Sequence, residues 1–118
     1  MYAEVKLGKQ TVPMLANAAT SIRYKQVFKK NLFKYLNGSE PQENQTEAVQ
    51  ELAFIMAMSA QGADMMKLNQ EEFLKWLERF EGIDLVTEDA INKIIDVFQG
   101  NQMTGSEAKK KKDQQSEK

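Results

Sequence analysis

The sequence predicts a mainly α-helical protein: a small bundle of about four helices, preceded by a short β-hairpin and followed by a disordered C-terminal tail. Three observations carry this. Apolar residues recur at three- and four-residue steps through most of the first hundred positions. Strict alternation is confined to the first dozen residues, and large apolar residues all but vanish after residue 100. The chain of 118 residues therefore divides into one helical domain over 1–100 and a Lys-rich tail over 101–118.

Glu4-Val5-Lys6-Leu7 alternates polar and apolar residues, Gly8-Lys9 is a turn signal, and Gln10-Thr11-Val12 resumes the extended pattern before Pro13. Two strands alone are marginal in water, so this hairpin must lie on a helix. From 18 to 36 the stripe Tyr24, Phe28, Leu32 and Tyr35 or Leu36 predicts one continuous helix, ended by Asn37-Gly38. Asn44 with Glu47 three residues on has the spacing of a capping box, which starts the second helix there and carries it to Ala60. Asn69 with Glu72 repeats the spacing for a third helix, with Phe73, Trp76, Leu77 and Phe80 on its core face and Gly82 at its end. The 63–68 connection has room for a short helical turn. Thr87, followed by Glu88 and Asp89, begins a fourth helix that Gly100 closes.

Composition narrows the function. The chain has neither cysteine nor histidine, which removes thiolate chemistry, disulfides and the side chain most used for proton transfer near neutral pH. Its acids stand singly on helical faces, without the spacing of a calcium loop. We therefore expect no enzyme, no metal and no cofactor. The longest apolar stretch, near 52–58, is too short to cross a bilayer, and no apolar signal region follows Met1, so a cytoplasmic protein is expected.

Charge is unevenly spread although it sums to −1. Residues 1–36 hold seven bases against Glu4, whereas 37–105 hold thirteen acids against four bases. Arg23, Lys30 and Lys34 share a narrow arc of the first predicted helix, with Lys25 and Lys29 on the other flank of its apolar stripe. Such a helix can touch phosphates, but the acidic middle of the domain argues against specific nucleic-acid binding and for pairing with acids of the same chain. The run Lys109–Lys112 reads as a solvated tail.

The second predicted helix is apolar on more than one side. Val49, Leu52, Ala53, Met56 and Ala60 share one face, while Phe54 and Met58 project from nearly the opposite one. Such a helix is either central in its bundle or covered by a partner. Phe54 and Met58, with Met65 and Met66 in the following connection, are the candidate partner-binding residues, because flexible thioethers adapt to a partner helix.

The order of these segments resembles a known family. Val5-Lys6-Leu7-Gly8-Lys9-Gln10-Thr11-Val12-Pro13 leads into Ala19-Thr20-Ser21-Ile22-Arg23-Tyr24. Glu51-Leu52-Ala53-Phe54-Ile55-Met56-Ala57 follows, then Glu72-Phe73-Leu74-Lys75-Trp76-Leu77-Glu78 and an acid-started helix before the Lys-rich tail. Over residues 3–100 this is similar to the tail assembly chaperones of long-tailed phages and prophages of Gram-positive bacteria. The resemblance implies a protein that binds the helical tape-measure protein, keeps it soluble, helps recruit tail-tube subunits and is absent from the mature virion. It transfers no site residue and no oligomeric state. The alternatives are a small regulator that places the basic helix on nucleic acid, and a structural head–tail component.

Overall fold

A computed structural model describes residues 1–38 and 40–100. The expected tail over 101–118 lies outside the described residues. The fold is mainly helical, with an antiparallel hairpin at its start.

Strands β1 (Tyr2–Leu7) and β2 (Gln10–Leu15) pair with Val5 opposite Val12 and Leu7 opposite Gln10, leaving Gly8-Lys9 as a two-residue turn. Alternation decides the faces: Val5, Leu7, Val12 and Met14 are buried, while Glu4, Lys6, Thr11 and Pro13 face outward. The buried face rests on helices from later in the chain, as a lone hairpin requires. Gly8 has φ +62°, and a Cβ there would lie 2.3 Å from the Asp84 carboxylate. That carboxylate accepts a hydrogen bond from the Glu81 N–H at 3.0 Å. Gly8→Ala is expected to destabilise the domain by about 2–3 kcal/mol, combining left-handed backbone strain with the displaced Asp84 contact. A urea midpoint unchanged from wild type would show that the turn and Asp84 relax freely.

Helix α1 (Thr20–Phe28) and helix α2 (Leu32–Leu36) replace the single helix expected over 18–36. Lys29 closes α1 in the left-handed region at φ 62°, and Asn31 caps α2 by accepting from the Phe33 N–H at 3.1 Å. Neither glycine nor proline causes this break; the Asn31 cap supports it locally, and a tertiary contact holds it. The Lys30 ammonium lies 3.0 Å from Glu51, a carboxylate only 1% exposed, on the next helix.

Helix α3 (Gln42–Ala60) also starts earlier than the capping-box spacing indicates. Pro41 occupies the cap position with no side-chain cap, and its carbonyl accepts from Asn44 N–H and Gln45 N–H at 3.0 and 3.1 Å. Asn44 therefore lies inside the first turn, where its side-chain amide points back to Glu40 Oε1. Proline's fixed φ suits a helix entry, which is why the start falls at Pro41 instead. From Ala48 to Ala57 every residue except the half-buried Gln50 is buried, so α3 is the central element of the bundle.

A 3-10 turn (Met65–Lys67) follows, capped by Asp64, whose carboxylate accepts from the Met66 N–H at 3.0 Å. Helix α4 (Gln70–Leu77) is capped by Asn69 accepting from the Glu72 N–H, as its sequence predicts. It ends before Gly82: the amides of Arg79 and Phe80 bond back to Trp76 and Leu77 in tight turns. Helix α5 (Glu88–Gln99) is capped by Thr87, accepting from the Ala90 N–H, and closed by Gly100 at φ 72°.

The core joins the inner face of the hairpin to α3 and packs aromatic rings on the far side of that helix. Phe54 stands 5.6 Å from Phe73 and 5.7 Å from Trp76, ring centre to ring centre, and Phe28 stands 5.4 Å from Phe73. These separations and tilted or edge-on geometries are those that aromatic quadrupoles favour.

Candidate partner-binding groove

The aromatic layer creates a groove of about 210 Å³ between α3 and α4. Its apolar lining comes from Phe54, Met58, Leu68 and Trp76, and its polar lining from Glu72 and Lys75 on α4 and Arg79 just beyond its end. Local sequence explains the layout. Phe54 and Met58 are one turn apart on α3, Trp76 is one turn from Glu72 on α4, and Leu68 immediately precedes the Asn69 cap that fixes where α4 begins. Glu72 and Lys75 pair at 3.5 Å along the rim.

The four sequence-predicted residues do not form one exposed surface. Phe54 is 1% exposed and belongs to the core, which corrects its assignment as a surface anchor. Its position opposite the main apolar stripe of α3 is filled by the aromatic side of α4, so a second packing layer, and not solvent, covers it. It nonetheless lines the floor of the groove. Met58 also lines the groove and is half-buried. Met65 packs partly against the core. Met66 is 79% exposed and sits on the α1 side, where its sulfur receives the Gln26 side-chain amide at 3.8 Å. One helical turn before Gln26, Ile22 is also exposed.

Sequence reasoning missed Leu68, Lys75 and Arg79, read Glu72 only as part of a capping spacing, and placed Trp76 in the core. Trp76 is indeed 4% exposed, yet it also lines the groove. Only the lone Leu68 ahead of a cap residue hinted at an apolar wall there.

The basic residues of the first segment turn largely onto the domain itself. Arg23 donates to Ser59 Oγ at 3.3 Å, Lys30 pairs with Glu51 at 3.0 Å, and Lys34 lies 3.8 Å from Glu40. Lys29 donates to the Gln26 carbonyl at 2.9 Å. The narrow arc of the expected continuous helix is thus divided between two helices. Glu51 also accepts from the Tyr24 hydroxyl at 2.6 Å. Burial first, and then the neighbouring Glu51 carboxylate, push the Tyr24 phenol far above its ordinary range, so it stays a neutral donor.

Among the described residues, no cluster of three metal-ligating side chains occurs, and no helix is long and apolar enough to cross a membrane. No family model matches the chain, and neither a curated protein nor a solved structure matches it significantly.

Proposed function

We propose that this chain is a non-enzymatic holding protein for an apolar helical partner, acting as a tail assembly chaperone for a tape-measure protein in the host cytoplasm. The groove between α3 and α4 carries the reading. It offers an adaptable, half-buried thioether at Met58 beside Leu68, over a floor formed by the buried Phe54 and Trp76, with polar side chains along one rim. That is the form in which a surface receives one apolar stripe of an amphipathic helix. A tape-measure protein presents such stripes before it is packaged, and covering them suppresses aggregation. The identity of the partner rests on the sequence resemblance. Recruitment of tail-tube subunits belongs to the same proposal.

A nucleic-acid regulator is the weaker reading, because Lys30 and Lys34 are engaged by carboxylates of their own domain. Removing those cations from phosphate contact lowers the electrostatic contribution on which such binding depends.

Co-expression with the tape-measure protein tests the proposal. The wild-type chain should hold the partner in the soluble fraction, and Met58→Asp should weaken binding by roughly tenfold or more, because a carboxylate would be desolvated in an apolar contact. Met66→Asp, on the other side of the domain, separates the groove from the α1-side surface. Loss with Met66→Asp alone would move the interface to that surface. A wild-type chain that neither binds nor solubilises the partner would end the chaperone reading, provided circular dichroism shows each protein folded.

A further inference from the structure

We infer that α2 is a hinged lid: it alternates between the docked, bent arrangement and an undocked one in which residues 20–36 run as a single helix. This goes beyond the chaperone reading and does not depend on it.

The case begins with a conflict between local and tertiary preference. Tyr24, Phe28, Leu32 and Leu36 keep unbroken four-residue spacing through the bend, and no glycine or proline lies between Thr20 and Leu36. Locally, the segment favours continuing as a helix. The bend instead places Lys29, an L-residue with a full side chain, in the left-handed region at φ 62° and ψ 31°. Such a conformation persists only where surrounding contacts hold it.

Those contacts converge on one buried residue. Glu51 accepts from Tyr24 on α1 through one oxygen and from Lys30 in the bend through the other, so a single carboxylate clasps both sides of the hinge. Leu32, 1% exposed, seats the start of α2. Beyond Leu32 the seating is looser. A half-open cleft of about 130 Å³ remains beside Leu36, lined by Val49, Ile91 and Ile95 and by the polar Gln42, Gln45 and Thr46 at the start of α3. Phe33 reaches Phe98 at 6.1 Å between ring centres yet stays 56% exposed. A five-residue helix with a strained entry and a loosely packed end has the features of a unit that opens before the rest of the domain. Opening uncovers Val49, Ile91 and Ile95, flanked by the polar Gln45 and Thr46.

NMR of the full chain tests this through Lys29, an exposed residue outside the core. A single helix would bond the α2 amides along its own axis, so the readouts are the Cα shifts of residues 29–31 and the Phe33–Phe98 ring contact. Lys29→Gly relieves the left-handed strain and favours the bend, so the open population measured by relaxation dispersion at 29–31 should fall about tenfold. Lys29→Val opposes the left-handed backbone, so that population should rise about tenfold, the Cα shifts of 29–31 should move toward helical values and the Phe33–Phe98 contact should weaken. In both variants the α5 Cα shifts should hold, because α2 opens on its own. Should Lys29→Val fail to fold, Lys29→Gly against wild type still decides the matter. Dispersion at 29–31 that is unchanged in the folded variants, or that appears equally in α5, would overturn the lid. An open form with random-coil instead of helical shifts at 29–31 would overturn the single helix.

Discussion

Trp76→Ala is expected to cost about 3–5 kcal/mol, the range found when a large buried aromatic side chain is truncated. Trp76 is 4% exposed and lies between Phe54 at 5.7 Å and Phe80 at 4.9 Å, ring centre to ring centre. Truncation therefore removes two ring contacts and opens a void between α3 and α4. Relaxation is limited, because Phe54 is held on its other side by Phe28 and Phe73. Small domains retain only about 5–15 kcal/mol of net stability, so this one change would bring the fold near its threshold. Trp76 is the only tryptophan, and urea unfolding of wild type and variant should accordingly be followed by circular dichroism. Trp76→Phe should recover much of the loss by refilling the layer. A loss below about 1 kcal/mol for the alanine variant would contradict the burial and make Trp76 chiefly a groove residue.

The elements legible in the sequence were those fixed by a few neighbouring residues. The Asn69 and Thr87 caps each satisfy an amide three positions away, and Gly8 and Gly100 supply left-handed backbone at the ends of short-range patterns. Two of the displaced boundaries have different causes. Asn44 and Glu47 have capping spacing, but Pro41, three residues earlier, already sets the chain for a helix. The α1–α2 break depends on Glu51, distant in sequence from Lys30, and no periodicity within 18–36 encodes that contact. Phe54 was misplaced for a related reason. Its angle on the helical wheel separates it from the main stripe of α3, but only the arrival of α4 shows that this second side is covered too. The α3 side of the groove, Phe54 and Met58, was therefore visible as unusual apolar positions, and the facing side exists only once α4 is docked.

Glu51→Ala should be the most damaging change at a polar position, at about 3 kcal/mol. Two effects add. The Tyr24 hydroxyl, buried with its ring at 0% exposure, loses its 2.6 Å acceptor and leaves an unsatisfied donor worth about 1–3 kcal/mol. The deleted methylene and carboxyl also leave space inside the packed contact of α1 with α3. The Lys30 side chain adds less than a fully buried cation would, because it is 33% exposed and can turn toward water. Glu51→Gln keeps a carbonyl acceptor for Tyr24 and should cost only about 1 kcal/mol. Tyr24→Phe should cost about 1–1.5 kcal/mol, since it removes the donor without removing the ring. The combined Tyr24→Phe/Glu51→Ala variant no longer has an orphaned hydroxyl, so its loss should fall below the sum of the single losses by about 1–2 kcal/mol. Urea unfolding of all four variants measures this coupling directly. Strict additivity of Tyr24→Phe and Glu51→Ala would mean that the hydroxyl finds another partner when Glu51 is gone, and that Glu51 contributes to stability mainly through Lys30.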